Sequence, residues 1–314
     1  MNRVIVPLDG SETSEAAVPH GARLARTLGI PLLLAHVIDM GHVYDSHALA
    51  LLPDRAEMER YLGDVAVREG IEAQTEFDVR YGTPGFELSQ IVREYDNSLV
   101  VMSTEGRGGL KRAVLGSVTD QMIRNGVAPV MAIRAGAVPP PRPEYANLLV
   151  TLDGSDLAAS AIPVAATLAR KSGATIHLVR VVEPLDVAPA SEYPPDATWP
   201  DPDEAVRIMA EREADARIEL GDVAASLRTL GFDVRTQVRV GRAATEILQA
   251  ANDVNADLLL MASHGRGGIR RILMGSVTTA VVHNATVPLL VIPPTLEERT
   301  PRRVRRESMV AAPA

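Results

Sequence analysis

Apolar and polar positions along this chain switch between a strand period and a helix period, and the whole pattern is written twice. Residues 3–8 are a short β-rich apolar run followed by a Gly-Ser turn at 10–11. A helix is predicted over roughly 12–28, with Ser11 placed to cap it and Glu12 and Glu15 suited to its positive end. Gly29 fits the C-cap, and residues 30–38 read as the second strand. A helix over 54–69 ending at Gly70, then a strand over 72–80, come next. Helix 85–95, strand 98–103, a glycine-rich loop, helix 117–125 and strand 129–134 complete the unit. Strands alternating with helices predict a five-stranded, mainly parallel sheet with helices on both faces.

The second copy is legible landmark by landmark. RVIVPLDGS at 3–11 returns as NLLVTLDGS at 147–155, and LVVMSTEGRGGLKRAVLGSV at 99–118 returns as LLLMASHGRGGIRRILMGSV at 258–277. Asp9 matches Asp153 at an offset of 144, whereas Gly116 matches Gly275 at an offset of 159, so copy two carries 15 extra residues between them. The Pro- and Asp-rich segment 183–203 fits that insertion and reads as a long irregular loop. The expected organisation is domain 1 over 1–134, a stiff Pro-rich linker over 135–146, domain 2 over 147–292 and a disordered tail over 293–314.

Composition narrows the function classes. Aromatic residues are only 3%, so the core must be Ala, Val, Leu and Ile, and stacking platforms for single-stranded nucleic acid are lacking. A net charge of −8 also argues against a generic nucleic-acid partner. The absence of cysteine excludes disulfides, thiolate metal sites and cysteine nucleophiles. Asp9 interrupts the first apolar run too early for a signal peptide, and no apolar stretch is long enough to span a bilayer. A cytoplasmic protein is expected.

The chemistry converges on the segment 106–118. Gly106, Gly108 and Gly109 let main-chain N–H groups approach a ligand closely. Gly116 and Ser117 stand at a helix start, where free N–H donors and the helix dipole attract anions, and Arg107, Lys111 and Arg112 add positive charge. Copy two repeats the set with Gly265, Arg266, Gly267, Gly268, Arg270, Arg271, Gly275 and Ser276. Phosphate binding is one reading; a tight connection with Ser117 as a simple N-cap is the other. Neither loop contains a P-loop or a complete G-x-G-x-x-G, because Lys111 and Arg270 occupy the last place.

The VPLDGS start, the His-Val or Arg-Val after strand two, and Gly-x9-Gly-Ser before a helix resemble the universal stress protein family, in a tandem arrangement over about 1–134 and 147–292. The resemblance implies two tandem Rossmann-like domains of the adenine nucleotide alpha hydrolase-like type, and points to the family's ATP-binding branch. That branch carries Gly-x2-Gly-x9-Gly-[Ser/Thr]; here the first glycine is replaced by Ser103 and Ala262, both small. By the same resemblance Asp9 and Asp153 would bond the nucleoside, where capping the next helix is their alternative role. Val37 and Val181 would lie at the adenine edge and Met102 and Met261 would flank the base, all four otherwise core residues. Ser117 and Ser276, with the N–H groups of Val118 and Val277, would meet phosphate oxygens. Mg²⁺ would accompany ATP. The family's pairing through the last strand implies an intramolecular pseudo-dimer through 129–134 and 288–292, with a homodimer of chains and an unidentified protein partner also open.

His264 stands where copy one has Glu105, which leads us to expect tighter nucleotide binding in copy two. Three functions remain at this level: an ATP-binding stress or regulatory protein, a slow ATP hydrolase, and an ATP-free interaction module. No Walker-type lysine, Asp-x-Asp pair or nucleophile–base pair is recognisable, so no catalytic residue is assigned.

Overall fold

A computed structural model describes residues 1–41, 52–105, 115–134, 136–137, 139–185, 202–263 and 274–294. Copy one contributes β1 (Arg3–Leu8), α1 (Glu12–Glu15), α2 (Val18–Leu28), β2 (Leu32–Asp39), α3 (Arg55–Arg68), β3 (Thr75–Gly82), α4 (Pro84–Glu94), β4 (Ser98–Ser103), α5 (Ser117–Asn125) and β5 (Val130–Ile133). Copy two contributes β6 (Asn147–Thr151), α6 (Asp156–Ala159), α7 (Ala161–Ser172), β7 (Thr175–Val182), α8 (Pro202–Thr229), β8 (Val234–Val240), α9 (Ala243–Asp253), β9 (Leu258–Ala262), α10 (Ser276–Asn284) and β10 (Leu289–Ile292).

All ten strands form one sheet in the order β3-β2-β1-β4-β5-β10-β9-β6-β7-β8. Every adjacent pair is parallel except β5 and β10, which run antiparallel with Met131 opposite Leu290. Those two residues are themselves equivalents in the repeat, so the pseudo-two-fold axis passes between them. Parallel strands covered on both faces need continuous apolar runs; Val4–Val6, Leu32–Ala35 and Leu258–Leu260 are all buried. One face packs against α2, α3, α7 and α8, the other against α4, α5, α9 and α10.

The helix expected over 12–28 is broken into α1 and α2. Pro19 stands at the second position of α2, has no N–H to give and would collide with the Glu15 carbonyl four residues back if the helix ran on. Pro163 does the same to Ala159 in copy two, separating α6 from α7. The strand expected from 72 begins at Thr75, because Glu72–Gln74 coil into a 3₁₀ turn. Part of the expected insertion loop is helical, since α8 begins at Pro202 and runs for 28 residues against 14 in α3; residues 186–201 lie outside the described residues, as does the tail from 295. At the far end of the linker, Tyr145 is buried and belongs to the packed structure.

Candidate functional site

In copy one the chain leaves β1 toward β2 and β3 on one side, and β4 and β5 lie on the other. The sheet order therefore reverses between β1 and β4, and in copy two between β6 and β9. Ligands of open α/β sheets bind in the crevice at the carboxyl ends of the strands at such a point.

Asp9 follows β1 at this crevice. Its Oδ1 accepts the Ser11 amide at 3.0 Å and the Ser11 hydroxyl at 2.5 Å. Gly10, at φ 85°, makes the reversal that lets the carboxylate fold back. Ser11 is the helix cap, its hydroxyl accepting the Ser14 amide at 3.2 Å. The alternative role for Asp9 is thus filled by Ser11, and the carboxylate orients that cap. Asp153, Gly154 (φ 82°) and Ser155 repeat the arrangement, with Asp153 accepting the Ser155 amide at 2.9 Å and hydroxyl at 2.6 Å.

Across the crevice the glycine loop is pinched at its base. The Gly116 amide donates to the Thr104 carbonyl at 2.6 Å, and the Gly275 amide to the Ser263 carbonyl at 2.9 Å. Gly116 and Gly275 are themselves the N-caps of α5 and α10, and having no side chain they bring no side-chain cap to either helix. The first-turn N–H groups have no intrahelical acceptor, and donors of this kind, with the helix dipole, favour an anion. Ser117 and Ser276, the first helical residues, are exposed beside it, and Ser117 is therefore not the N-cap.

Val37, Val118, Val181 and Val277 are half-buried against one apolar cluster that runs through both copies and contains both Met102 and Met261. Ser103 and Ala262 end β4 and β9 and are buried. Neither has positive φ: among the described residues only Asn97 and Asn255 do so without being glycine. The glycine of the family motif is therefore not needed for backbone conformation at either place. Gly106, Arg107, Gly108, Lys111 and Arg112, and Gly265, Arg266, Gly267, Arg270, Arg271 and His264, lie outside the described residues.

Sequence reasoning missed Thr119 and Thr278. Their buried hydroxyls donate to the carbonyls of Ser103 at 2.7 Å and Ala262 at 3.1 Å, fixing each helix start to the strand end. The signal was present as a Gly-Ser-Val-Thr tetrad in both copies. The surroundings of the two crevices also differ. In copy one the Tyr61 hydroxyl donates to Glu15 at 2.9 Å, and Glu15 also pairs with Arg68. Burial foremost, then the Glu15 hydrogen bond and the negative charge of Glu15 and Asp9, push the Tyr61 phenol above its ordinary value. Copy two has Leu220 and Ala159 at the positions of Tyr61 and Glu15.

A separate cleft of about 540 Å³ lies at the seam between the copies, lined by His20, Arg23, Arg142 and Asp257 among others. Among the described residues no group of three His, Cys, Asp or Glu is placed to hold a metal ion, and no helix is long and apolar enough to cross a membrane.

The model of the universal stress protein family matches residues 1–134 and 144–293. Universal stress protein Rv2005c of Mycobacterium tuberculosis (strain ATCC 25618 / H37Rv) is 29% identical over 309 residues, covering 92% of this chain and 96% of that protein. A universal stress protein of Mycolicibacterium smegmatis is 28% identical over 305 residues, covering 93% and 97%. The crystal structure of a universal stress protein from Archaeoglobus fulgidus DSM 4304 has the same fold, with a TM-score of 0.69 at 21% identity over 93% of this chain and 98% of that one. A second, from Pseudomonas aeruginosa UCBPP-PA14, gives 0.63 at 18% identity over 94% of each chain.

Proposed function

Because the chain belongs to the universal stress protein family, we propose that each copy binds one ATP at the carboxyl edge of its half of the sheet. The protein then acts in the cytoplasm as a stress-response nucleotide-binding regulator rather than as a catalyst. The observation that carries this reading is the start of α5 and α10 at a glycine N-cap, whose first-turn amides have no intrahelical acceptor, in each copy that also carries the Asp-Gly-Ser turn of Asp9 or Asp153.

The base packs on Val37 and Met102 in copy one, and on Val181 and Met261 in copy two. Asp9 and Asp153 accept the nucleoside hydroxyls, being already aimed by their serines. Ser117 and Ser276, with the amides of Val118 and Val277, take phosphate oxygens, and Gly106, Arg107 and Gly108, with Gly265, Arg266 and Gly267, belong to the same two proposed sites. Mg²⁺ enters as the counter-ion of the phosphates.

The test is mass spectrometry of nucleotide released from the purified protein by mild denaturation. Recovery of ATP near two per chain supports both sites, and near one supports a single site. No nucleotide, with no heat of ATP binding, leaves the ATP-free interaction module; ADP or AMP alone points to hydrolysis.

A further inference from the structure

Arg23 of α2 and Asp257, which immediately precedes β9, meet across the seam at 3.2 Å with both side chains 4% exposed. They are 234 residues apart and belong to different copies. The linker closes over them: Arg23 donates to the Glu144 carbonyl at 2.5 Å, and its guanidinium lies 3.9 Å from the Tyr145 ring centroid. Asp257 Oδ2 accepts the amides of Ala146 at 2.8 Å and Asn147 at 2.9 Å, and Arg142 approaches Oδ1 at 3.5 Å.

The seam is pseudo-symmetric, yet the pair occurs on one side of it only. By the repeat offsets Thr167 stands in place of Arg23, and Ser98 in place of Asp257. The Ser98 hydroxyl is buried with no hydrogen-bond partner among the described residues. Pairing of copy one with copy two therefore sets Arg23 against Asp257 on one side and two neutral residues on the other. Pairing of two first copies would set each Arg23 guanidinium beside Ser98, without the Asp257 carboxylate, the Glu144 carbonyl or the Tyr145 ring. Pairing of two second copies would set each buried carboxylate against Thr167 in place of Arg23, with the half-exposed Arg142 as its remaining cation. A buried charge that loses its partner is strongly destabilising, and specificity of association commonly rests on such penalties.

We propose that Arg23 and Asp257 make the last-strand seam selective for the unlike copy, so that this surface of copy one takes copy two and rejects a second copy one. The apolar β5–β10 contact alone carries no such discrimination, because the antiparallel pairing is centred on equivalent residues, Met131 and Leu290, and both are fully buried.

The chain has no cysteine, so Met131→Cys and Leu290→Cys together report who pairs with whom. A protease site is inserted between residues 137 and 139 of the full chain and cut after folding. The nicked protein is separated in urea, rejoined by dilution and oxidised, and the disulfide products are weighed. With Arg23 and Asp257 present, the 131–290 product should exceed the 131–131 and 290–290 products by about tenfold or more, the ratio that a free-energy difference of about 1.4 kcal/mol gives. With Arg23→Thr and Asp257→Ser the three products should approach random pairing. Random pairing in the presence of both charges, or an unchanged excess without them, overturns the proposal. Urea unfolding of the uncut chain is the second measurement. Arg23→Thr and Asp257→Ser should each lower the midpoint more than the double variant does; additive losses overturn the proposal independently of refolding.

Discussion

Asp9 Oδ1 and the Ser11 hydroxyl are joined at 2.5 Å, while the same hydroxyl accepts the Ser14 amide that begins the first helix. The aspartate thus acts on the fold through the serine, and on the proposed reading it also accepts the nucleoside hydroxyls. These two duties separate in Asp9→Ala. Ser11 still caps the helix, so the stability loss should stay below about 1 kcal/mol, the size of one ordinary hydrogen bond. ATP affinity should fall about 10- to 100-fold, because a hydrogen bond to a charged acceptor is worth about 1.5–3 kcal/mol. Calorimetric titration beside urea unfolding measures both, and Asp153→Ala should act alike on copy two. Unchanged affinity with lowered stability would reduce Asp9 to a support for the cap.

Gly116 adopts φ −56°, ψ 141° and Gly275 φ −56°, ψ 147°. Both conformations are open to any residue, so backbone freedom is not why a glycine stands there. Gly116→Asp would supply the missing side-chain cap and a favourable charge at the helix start, raising stability by about 0.5 kcal/mol. The same carboxylate would occupy the phosphate position and should weaken ATP binding in copy one more than 100-fold, through like-charge repulsion and loss of the open N–H groups. A variant that is more stable and still binds ATP normally would move the phosphate site elsewhere.

The strands were legible because each is a run of β-branched and aliphatic residues bounded by turn residues, and the crevice was legible because Asp-Gly-Ser and Gly-Ser-Val recur in fixed order. The break before α2 was also available in principle, since Pro19 and Pro163 forbid a continuous helix, but helical periodicity across the break concealed it. The start of β3 was misplaced because Ile71 to Gln74 have no period that separates a 3₁₀ turn from a strand. Nothing local announced the partnership of Arg23 with Asp257. An arginine on an apolar helix face and an aspartate before a strand each read as surface residues until the sheet order brings the copies together.

Gly21 shows how the two copies have diverged in packing. A Cβ at this position would lie 2.4 Å from Val6 Cγ2, yet the equivalent residue of α7 is Ala165. Helix α2 therefore lies against β1 with no room for a methyl group. Gly21→Ala gains up to about 1 kcal/mol of helix propensity, but overpacking against a stiff β-branched side chain costs about 1–3 kcal/mol. A net loss of about 1–2 kcal/mol is expected in urea unfolding. Val6→Ala on top of Gly21→Ala should return part of that loss, because it removes the methyl that collides.

Asp257 carries the pH dependence of the seam. Burial alone would raise its carboxyl pKa, but the amides of Asn147 and Ala146 and the guanidinium of Arg23 outweigh it and hold the group below its ordinary value. A carboxyl depressed in the folded state binds its proton more readily when unfolded. Its contribution is therefore complete above the unfolded value of about 3.9 and is lost as pH falls through the lower folded value. Asp257→Asn keeps an oxygen for the two backbone donors and removes the titration. Unfolding free energies measured from pH 7 down to pH 2.5 should show the substituted protein less stable at neutral pH, with Arg23 left without a countercharge. Below pH 4 its curve should fall less steeply, so that the two proteins converge. Parallel curves over the whole range would mean that the carboxylate is held no more tightly in the folded chain than in the unfolded one.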